Sequence, residues 1–230
     1  MIESFEKTRL AGSIAAGALD EVNNIVKPGL STLEIDKLCY QYINDHKAFS
    51  APLYYRGYPK SCCTSTNHVV CHGIPSEKIL NEGDIINVDV TAIKDGWHGD
   101  TSRMFVVGEC SIKAKKLIKT TYDAMMKAIK IIKADIKIGN IGYMIQKSVE
   151  ADGFSVVRDF CGHGIGKKFH ESPNVLHYGE KNSGQELKEG MIFTVEPMIN
   201  SGKFETKTLK DGWTAVTKDK SLSAQFEHTV

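Results

Sequence analysis

Residues 83–108 read GDIINVDVTAIKDGWHGDTSRMFVVG. Side chains alternate along an extended chain, so Ile86, Val88, Val90 and Ala92 fall on one face and Asn87, Asp89 and Thr91 on the other. Lys94-Asp95-Gly96 is a turn signal, and the chain returns from Trp97 to Val107 as a second arm. Folding the hairpin about that turn sets Asp100 opposite Asp89 or one diagonal step from it. Directly opposed residues have Cβ atoms ~4.5–5.5 Å apart, where like charges repel. A carboxylate pair on a hairpin this rich in β-branched residues therefore calls for a cation, a shared proton or free access to water.

Three further segments offer groups of the same kind. Val156-Val157-Arg158 leads into Cys161-Gly162-His163-Gly164-Ile165-Gly166, a strand running into a glycine loop that presents His163. Met191 to Pro197 is an apolar strand ending in Glu196, which Pro197 biases toward extended geometry. Ser223 to Thr229 alternates so that Gln225, Glu227 and Thr229 share a face. Asp89, Asp100, His163, Glu196 and Glu227 together form a mixed oxygen and nitrogen donor set. Such a set suits divalent Mn, Fe, Co or Zn better than a thiolate site would. Its four carboxylates match the charge of two divalent ions, which paired hydrolase sites hold ~3.5–4 Å apart.

Around this centre the chain reads helix, helix, strands, then helix, helix, strands. Apolar residues recur at helical spacing over 3–25, and Lys27-Pro28-Gly29 closes that element. Ser31-Thr32-Leu33-Glu34 is a capping box opening a second helix. Residues 60–110 are strand-rich, 113–133 helical, and Asn140 begins a helix ending near Gly153. Lys27-Pro28-Gly29-Leu30 before Ile35, and Lys133-Ala134-Asp135-Ile136 before Ile141, occupy matching places and hint at an internal duplication. The expectation is one α/β domain over 1–230, with halves of roughly 1–110 and 111–230.

The bulk numbers fit that picture. The chain has 230 residues, 41% hydrophobic, and a net charge of +1, so no overall basic excess points to nucleic acid. The N-terminus lacks the pattern of a signal peptide, and no apolar stretch approaches the ~18 residues of a membrane span. The cysteines, at 39, 62, 63, 71, 110 and 161, form no C-x-x-C pair and read as reduced thiols of a cytoplasmic protein.

The stretches YRGYPKSCCTSTNHVVCHGIP, INVDVTAIKDGWHGDTSRMF, FCGHGIGKKFHESPNVLHY, FTVEPMI and KDGWTAVTKDKSLSAQFEHT, taken in order, resemble the type I, bacterial-type methionine aminopeptidases, subfamily A of peptidase family M24. The resemblance runs the length of the chain. It implies a pita-bread fold of two pseudo-symmetric α/β halves, with a curved antiparallel sheet backed by helices. It implies that Asp89, Asp100, His163, Glu196 and Glu227 hold two divalent ions, with Asp100 and Glu227 bridging them. The implied activity is removal of the initiator methionine from nascent proteins when the amine is deformylated and the second residue is small. The nucleophile would be a hydroxide held between the ions, with Glu196 as proton shuttle and His72 and His170 contacting the scissile peptide. Resemblance places Tyr55, Tyr58, Cys63, Phe169 and Trp213 around the methionine side chain, and a monomer is implied. Pro52 stands where bacterial relatives carry cysteine and Tyr54 where they carry a small residue, both at the pocket rim.

The remaining features read as ordinary. His46, His68, His98, His177 and His228 carry no motif and are assigned to surface or structural roles. Gly162 to Gly166 lacks the register of a nucleotide-binding turn. Lys203, Lys207, Lys210, Lys218 and Lys220 are a solvated basic stretch, with contact to ribosomal RNA as its functional alternative. Neither a cysteine-rich extension nor an insertion between Glu196 and Glu227 is present, as in the short bacterial form. The chain stops at Val230, three residues past Glu227, so the last strand is expected to fray. Rival readings are an X-Pro peptidase of the same fold, a binding module that no longer turns over, and a creatinase-like hydrolase without the metal set.

Overall fold

The computed structural model describes residues 2–230. Its helices are α1 (Ile2–Ile25), α2 (Thr32–Asp45), α3 (Ile112–Lys130) and α4 (Gly139–Ala151). Its strands are β1 (Phe49–Ser50), β2 (Cys63–Thr66), β3 (Val69–Cys71), β4 (Ile85–Lys94), β5 (Trp97–Val106), β6 (Ser155–Val156), β7 (Gly162–Gly164), β8 (Glu171–Val175), β9 (Thr194–Val195), β10 (Met198–Asn200), β11 (Thr206–Thr208), β12 (Ala215–Thr217), β13 (Ser223–Gln225) and β14 (Glu227–Thr229).

Hydrophobic periodicity explains the helices. Along α1, Ala11, Ile14, Ala15, Ala18, Leu19 and Val22 are buried on one face. They pack against Ile86, Val88, Val90 and Ala92 of β4, the face expected from alternation. Gly99 of β5 lets the helix come this close, because a Cβ there would fall inside the backbone of Gly12. The capping box forms as expected: Ser31 Oγ accepts from Glu34 N at 3.3 Å, and Ser31 N donates to Glu34 Oε2 at 2.8 Å. A second core lies under α3 and α4, where Leu117, Met125, Ile141 and Ile145 meet Val156, Val195, Ile199 and Ala224.

The central sheet runs β1-β4-β5-β14-β9, with β2 also paired to β4, and every pairing in it is antiparallel. Smaller antiparallel sheets, β13-β10-β6, β11-β12-β3 and β7-β8, accompany it. The second helix of each pair starts alike: an isolated bridge joins Ser31 to Ile79 before α2, and another joins Lys137 to Glu186 before α4. Asp95 and Gly96 have φ of 50° and 78°, the two left-handed positions of a tight hairpin turn matched to strand twist.

The last strand departs from expectation. β14 is hydrogen-bonded on both sides, to β5 and to β9, and Val230 exchanges backbone bonds with Phe193. It is an interior strand rather than a fraying edge. No helix among the described residues is long and apolar enough to cross a membrane.

Candidate active site

Strand register builds the site. Asp100 pairs with Thr91, one diagonal step from Asp89, and Asp89 lies opposite Ser102. Ser102 also faces Glu227 across β14, while Cys63 faces Asp89 across β2. One rung of the sheet therefore reads Cys63, Asp89, Ser102, Glu227, all on the same face. Neighbouring strands lie ~4.8 Å apart, so the backbones of Asp89 and Glu227 are about 10 Å apart with only a serine between them. That small residue leaves room for the two carboxylates to reach toward each other.

His163 and Glu196 arrive from the second half through a shared threonine. Thr194 Oγ1 accepts from His163 N at 3.0 Å and donates to Glu196 Oε1 at 2.8 Å. A Cβ at Gly162 would run into the Thr194 carbonyl, so β7 reaches β9 because residue 162 has no side chain. His163 Nδ1 lies 3.1 Å from Gly164 O and donates to it, which leaves Nε2 as a free lone pair. Nε2 lies 3.5 Å from Glu196 Oε1 and 3.9 Å from Asp100 Oδ2. Ligand atoms of Asp100, His163 and Glu227 lie within 4.8 Å of one another.

Buried this densely, the carboxyls resist ionisation. Burial raises Asp89 to about 7 and Glu196 to about 8. Asp100 is raised by burial and then by Asp89, and Glu227 by burial and then by Asp100. Asp89 Oδ1 and Glu227 Oε1 are buried without a hydrogen-bond partner. Orphaned carboxylate oxygens on opposite sides of a gap, beside an imidazole lone pair, are what a divalent cation satisfies. The residues fit a metal centre.

The centre floors a cavity of about 400 Å³. Its walls include Tyr55, Tyr58, Cys63, His72, Phe169, His170, Met198 and Trp213, so the structure brings every residue expected at the site to one space. Tyr58 is buried, stands edge-on to Trp213 at 5.1 Å, and points its hydroxyl at the carbonyls of Cys62 and Gly73. Asp36 of α2 holds the preceding loop, accepting from Ser61 N at 2.8 Å and Cys62 N at 3.2 Å. His72 has φ of 55°, a strained conformation that turns its ring between Phe160 and Trp213. Burial keeps His72 neutral; burial and then the neighbouring His163 bring His170 down to about 3. His170 Nδ1 contacts the Tyr55 hydroxyl at 3.0 Å. Pro52 lines the cavity, whereas Tyr54 is 79% exposed and lies off the lining.

Two histidines gain a role that no motif revealed. His177 is buried, lowered to about 3 by burial, and its Nε2 accepts from Glu196 N at 3.1 Å. His98 stacks on Phe169 at 5.6 Å and bonds the Gly166 carbonyl through Nδ1. Two threonines join them: Thr91 donates to Asp100 Oδ1 at 2.7 Å, and Thr229 Oγ1 accepts from Asp100 N at 3.1 Å. His46, by contrast, caps the C-terminal end of α2 and is stacked on Tyr42 of that helix.

A mixed α/β fold with a buried carboxylate and histidine centre defines a protein built to hold divalent metal. Residues 6–230 match metallopeptidase family M24, and the chain belongs to that family. Within it, the chain is 56% identical to a methionine aminopeptidase of Rickettsia prowazekii, over 99% of this chain and 88% of the relative. It is 55% identical to the methionine aminopeptidase of Escherichia coli strain K12, over 99% and 87%. The crystal structure of the Rickettsia prowazekii enzyme superposes with a TM-score of 0.98, covering 100% of this chain and 93% of that one. An X-Pro aminopeptidase of Thermotoga maritima shares the pita-bread fold at a TM-score of 0.75 and 22% identity, covering 100% of this chain and 58% of that one.

Proposed function

We propose that the chain is a methionine aminopeptidase that removes the N-terminal initiator methionine from deformylated nascent proteins with a small second residue. The observation that carries this is the pair of orphaned carboxylate oxygens, Asp89 Oδ1 and Glu227 Oε1, at a cavity lined by Tyr55, Tyr58, Phe169 and Trp213. Asp89, Asp100, His163, Glu196 and Glu227 would hold two divalent ions, of Co, Mn, Fe or Zn. When bound, such ions supply Lewis acidity and a water acidic enough to act near neutral pH.

The chain's own groups do the rest. Tyr58, Cys63, Phe169 and Trp213 enclose an apolar, polarizable slot for a thioether. Burial keeps the Cys63 thiol protonated, so the slot carries no charge from it. Glu196 accepts from Thr194 at Oε1 and from Gln225 Nε2 at Oε2, at 2.8 and 3.5 Å, and its carboxylate is the group that takes a proton and passes it to the leaving amine. With the Tyr55 hydroxyl donating to Nδ1, His170 presents Nε2–H to the scissile carbonyl oxygen. Neutral His72 hydrogen-bonds the peptide from the other wall.

The test is hydrolysis of Met-Ala-Ser and Leu-Ala-Ser peptides by metal-stripped protein, with and without Mn, Co, Fe or Zn. Metal-dependent release of methionine alone, lost in Asp100→Ala, is expected. Folded protein that releases nothing with any metal would favour a binding module, and cleavage confined to Xaa-Pro peptides an X-Pro peptidase. We further assign the whole of 1–230 to one catalytic domain, acting as a monomer in the cytoplasm. The exposed Lys203, Lys207, Lys210, Lys218 and Lys220 would meet ribosomal RNA; charge reversal that leaves ribosome co-sedimentation unchanged removes that contact.

A further inference from the structure

Arg56 lines the cavity mouth and is the only arginine or lysine among the described lining residues. It is exposed and has no ion-pair partner among the described residues. Its guanidinium carbon sits 5.3 Å from the centroid of the Tyr55 ring, and Tyr55 in turn touches His170. The cation thus stands one ring outside the imidazole assigned to the scissile carbonyl.

The loop that carries it is held rather than slack. Tyr54, Arg56 and Gly57 have φ of 66°, 47° and 88°, and a left-handed conformation is costly for the first two. The turn is closed by Tyr54 N donating to Tyr58 O at 2.8 Å and Tyr55 N donating to Pro52 O at 2.9 Å. Buried Tyr58 anchors its far end. On the lining, the anion outside the metal set is Asp159, and its carboxylate is engaged by the Thr206 hydroxyl.

We infer that Arg56 makes this cleft select substrates with an acidic side chain at the third residue, just beyond the small residue that follows methionine. This rests on the aminopeptidase reading above. With methionine among the aromatic side chains and its carbonyl at His170, the outgoing chain passes the Tyr55 ring. The His170 and Tyr55 rings lie 5.2 Å apart and the guanidinium carbon 5.3 Å from the Tyr55 centroid, so at ~3.3–3.6 Å per extended residue an acidic side chain on the third residue comes within reach of the guanidinium. A planar fork with five N–H donors matches a carboxylate, and no other arginine or lysine among the described lining residues competes for it. Because Arg56 is exposed, the preference is modest and screened by salt.

The experiment compares kcat/KM of the metal-loaded enzyme on amidated Met-Ala-Ser, Met-Ala-Asp and Met-Ala-Lys, at low and high ionic strength. The ratio within each variant cancels any general loss of activity. The parent should prefer aspartate over serine by about two- to five-fold, the range of an exposed ion pair. Lysine should rank last, and the spread should shrink with salt. Arg56→Lys should keep the preference, Arg56→Gln abolish it, and Arg56→Glu invert it. Equal cleavage of the three peptides by the parent, or the same ratios in all variants, overturns the assignment and leaves the aminopeptidase standing. Failure to cleave even the serine peptide would instead remove the aminopeptidase reading, and this inference with it.

Discussion

Replacing Glu196 with glutamine should stabilise the metal-free protein, by an amount that grows with pH. Glutamine copies the shape of the protonated acid but never ionises. Burial raises the folded carboxyl to about 8 from an ordinary 4.5. Below pH 4.5 both folded and unfolded forms hold the proton, and there is no penalty. Between those values the unfolded chain has released a proton that the folded protein keeps, so the parent loses stability as pH rises. Each pH unit costs about 1.4 kcal/mol for one proton. From pH 5.5 to 7.5 the advantage of Glu196→Gln over the parent should therefore widen by about 3 kcal/mol. At a urea m-value of about 3 kcal/mol/M, that separates the two midpoints by a further ~1 M. The buried histidines have the opposite slope below pH 6.5, because folding keeps them neutral, but both proteins contain them and the difference cancels them. The assay is urea unfolding in a chelator at several pH values, repeated with Mn or Co in excess. Ions stabilise the parent more than the variant, which has lost a donor, so the ordering should reverse. Parallel midpoints across pH in the chelator would refute the account of Glu196 as a buried, neutral acid.

Three other substitutions probe separate links. Ser102→Val fills the gap on the rung between Asp89 and Glu227; the strand should still form, but calorimetry should show metal binding weakened at least ~10-fold, as when a supporting group around a metal is lost. Tyr55→Phe removes the hydroxyl against His170 Nδ1 and should lower kcat about three- to ten-fold with little change in KM, the loss of one hydrogen bond made to an orienting group. Gly162→Ala puts a methyl into the Thr194 carbonyl and should cost about 1–3 kcal/mol in thermal or urea unfolding while also weakening metal affinity.

What could be read along the chain follows from the range of each interaction. The inward face of β4, the turn at Asp95-Gly96 and the diagonal placement of Asp89 and Asp100 all depend on neighbours within one hairpin, so alternation and turn chemistry sufficed. The capping box at Ser31 is equally local. The rung that sets Glu227 beside Ser102 is not, since it pairs strands from opposite ends of the chain, and no pattern in Gln225-Phe226-Glu227 names its partner. Donor chemistry grouped Glu227 with the other carboxylates and His163, but which strands pair to bring them together was implied only by the resemblance to a known family. His177 shows the same limit. It lies in a loop with nothing to mark it, and its contact with the Glu196 backbone exists only once the second half has folded. The expected fraying of the final strand came from counting residues past Glu227. That count cannot reveal that β14 would enter between β5 and β9 and be bonded on both sides.

The placement of β14 also explains why a site so costly in desolvation can persist. Asp89 and Asp100 stand on the sheet packed by α1, while His163 and Glu196 belong to segments lying over the core beneath α3 and α4. Glu227 sits on the strand that joins them, and Thr101 Oγ1 of β5 donates to its backbone carbonyl at 2.7 Å. Thr229 closes the same seam at the Asp100 backbone. Bringing four carboxyls together opposes folding until protons or cations compensate them. Because those carboxyls are divided between both cores, a cation bound there would act on the junction itself and favour the closed sheet over either half alone. The same junction excludes the bulk water that would otherwise satisfy Asp89 Oδ1 and Glu227 Oε1. The seating of β14 against β5 thus adds Glu227 to a repulsion that Asp89 and Asp100 already set up within their hairpin, and completes the buried donor set.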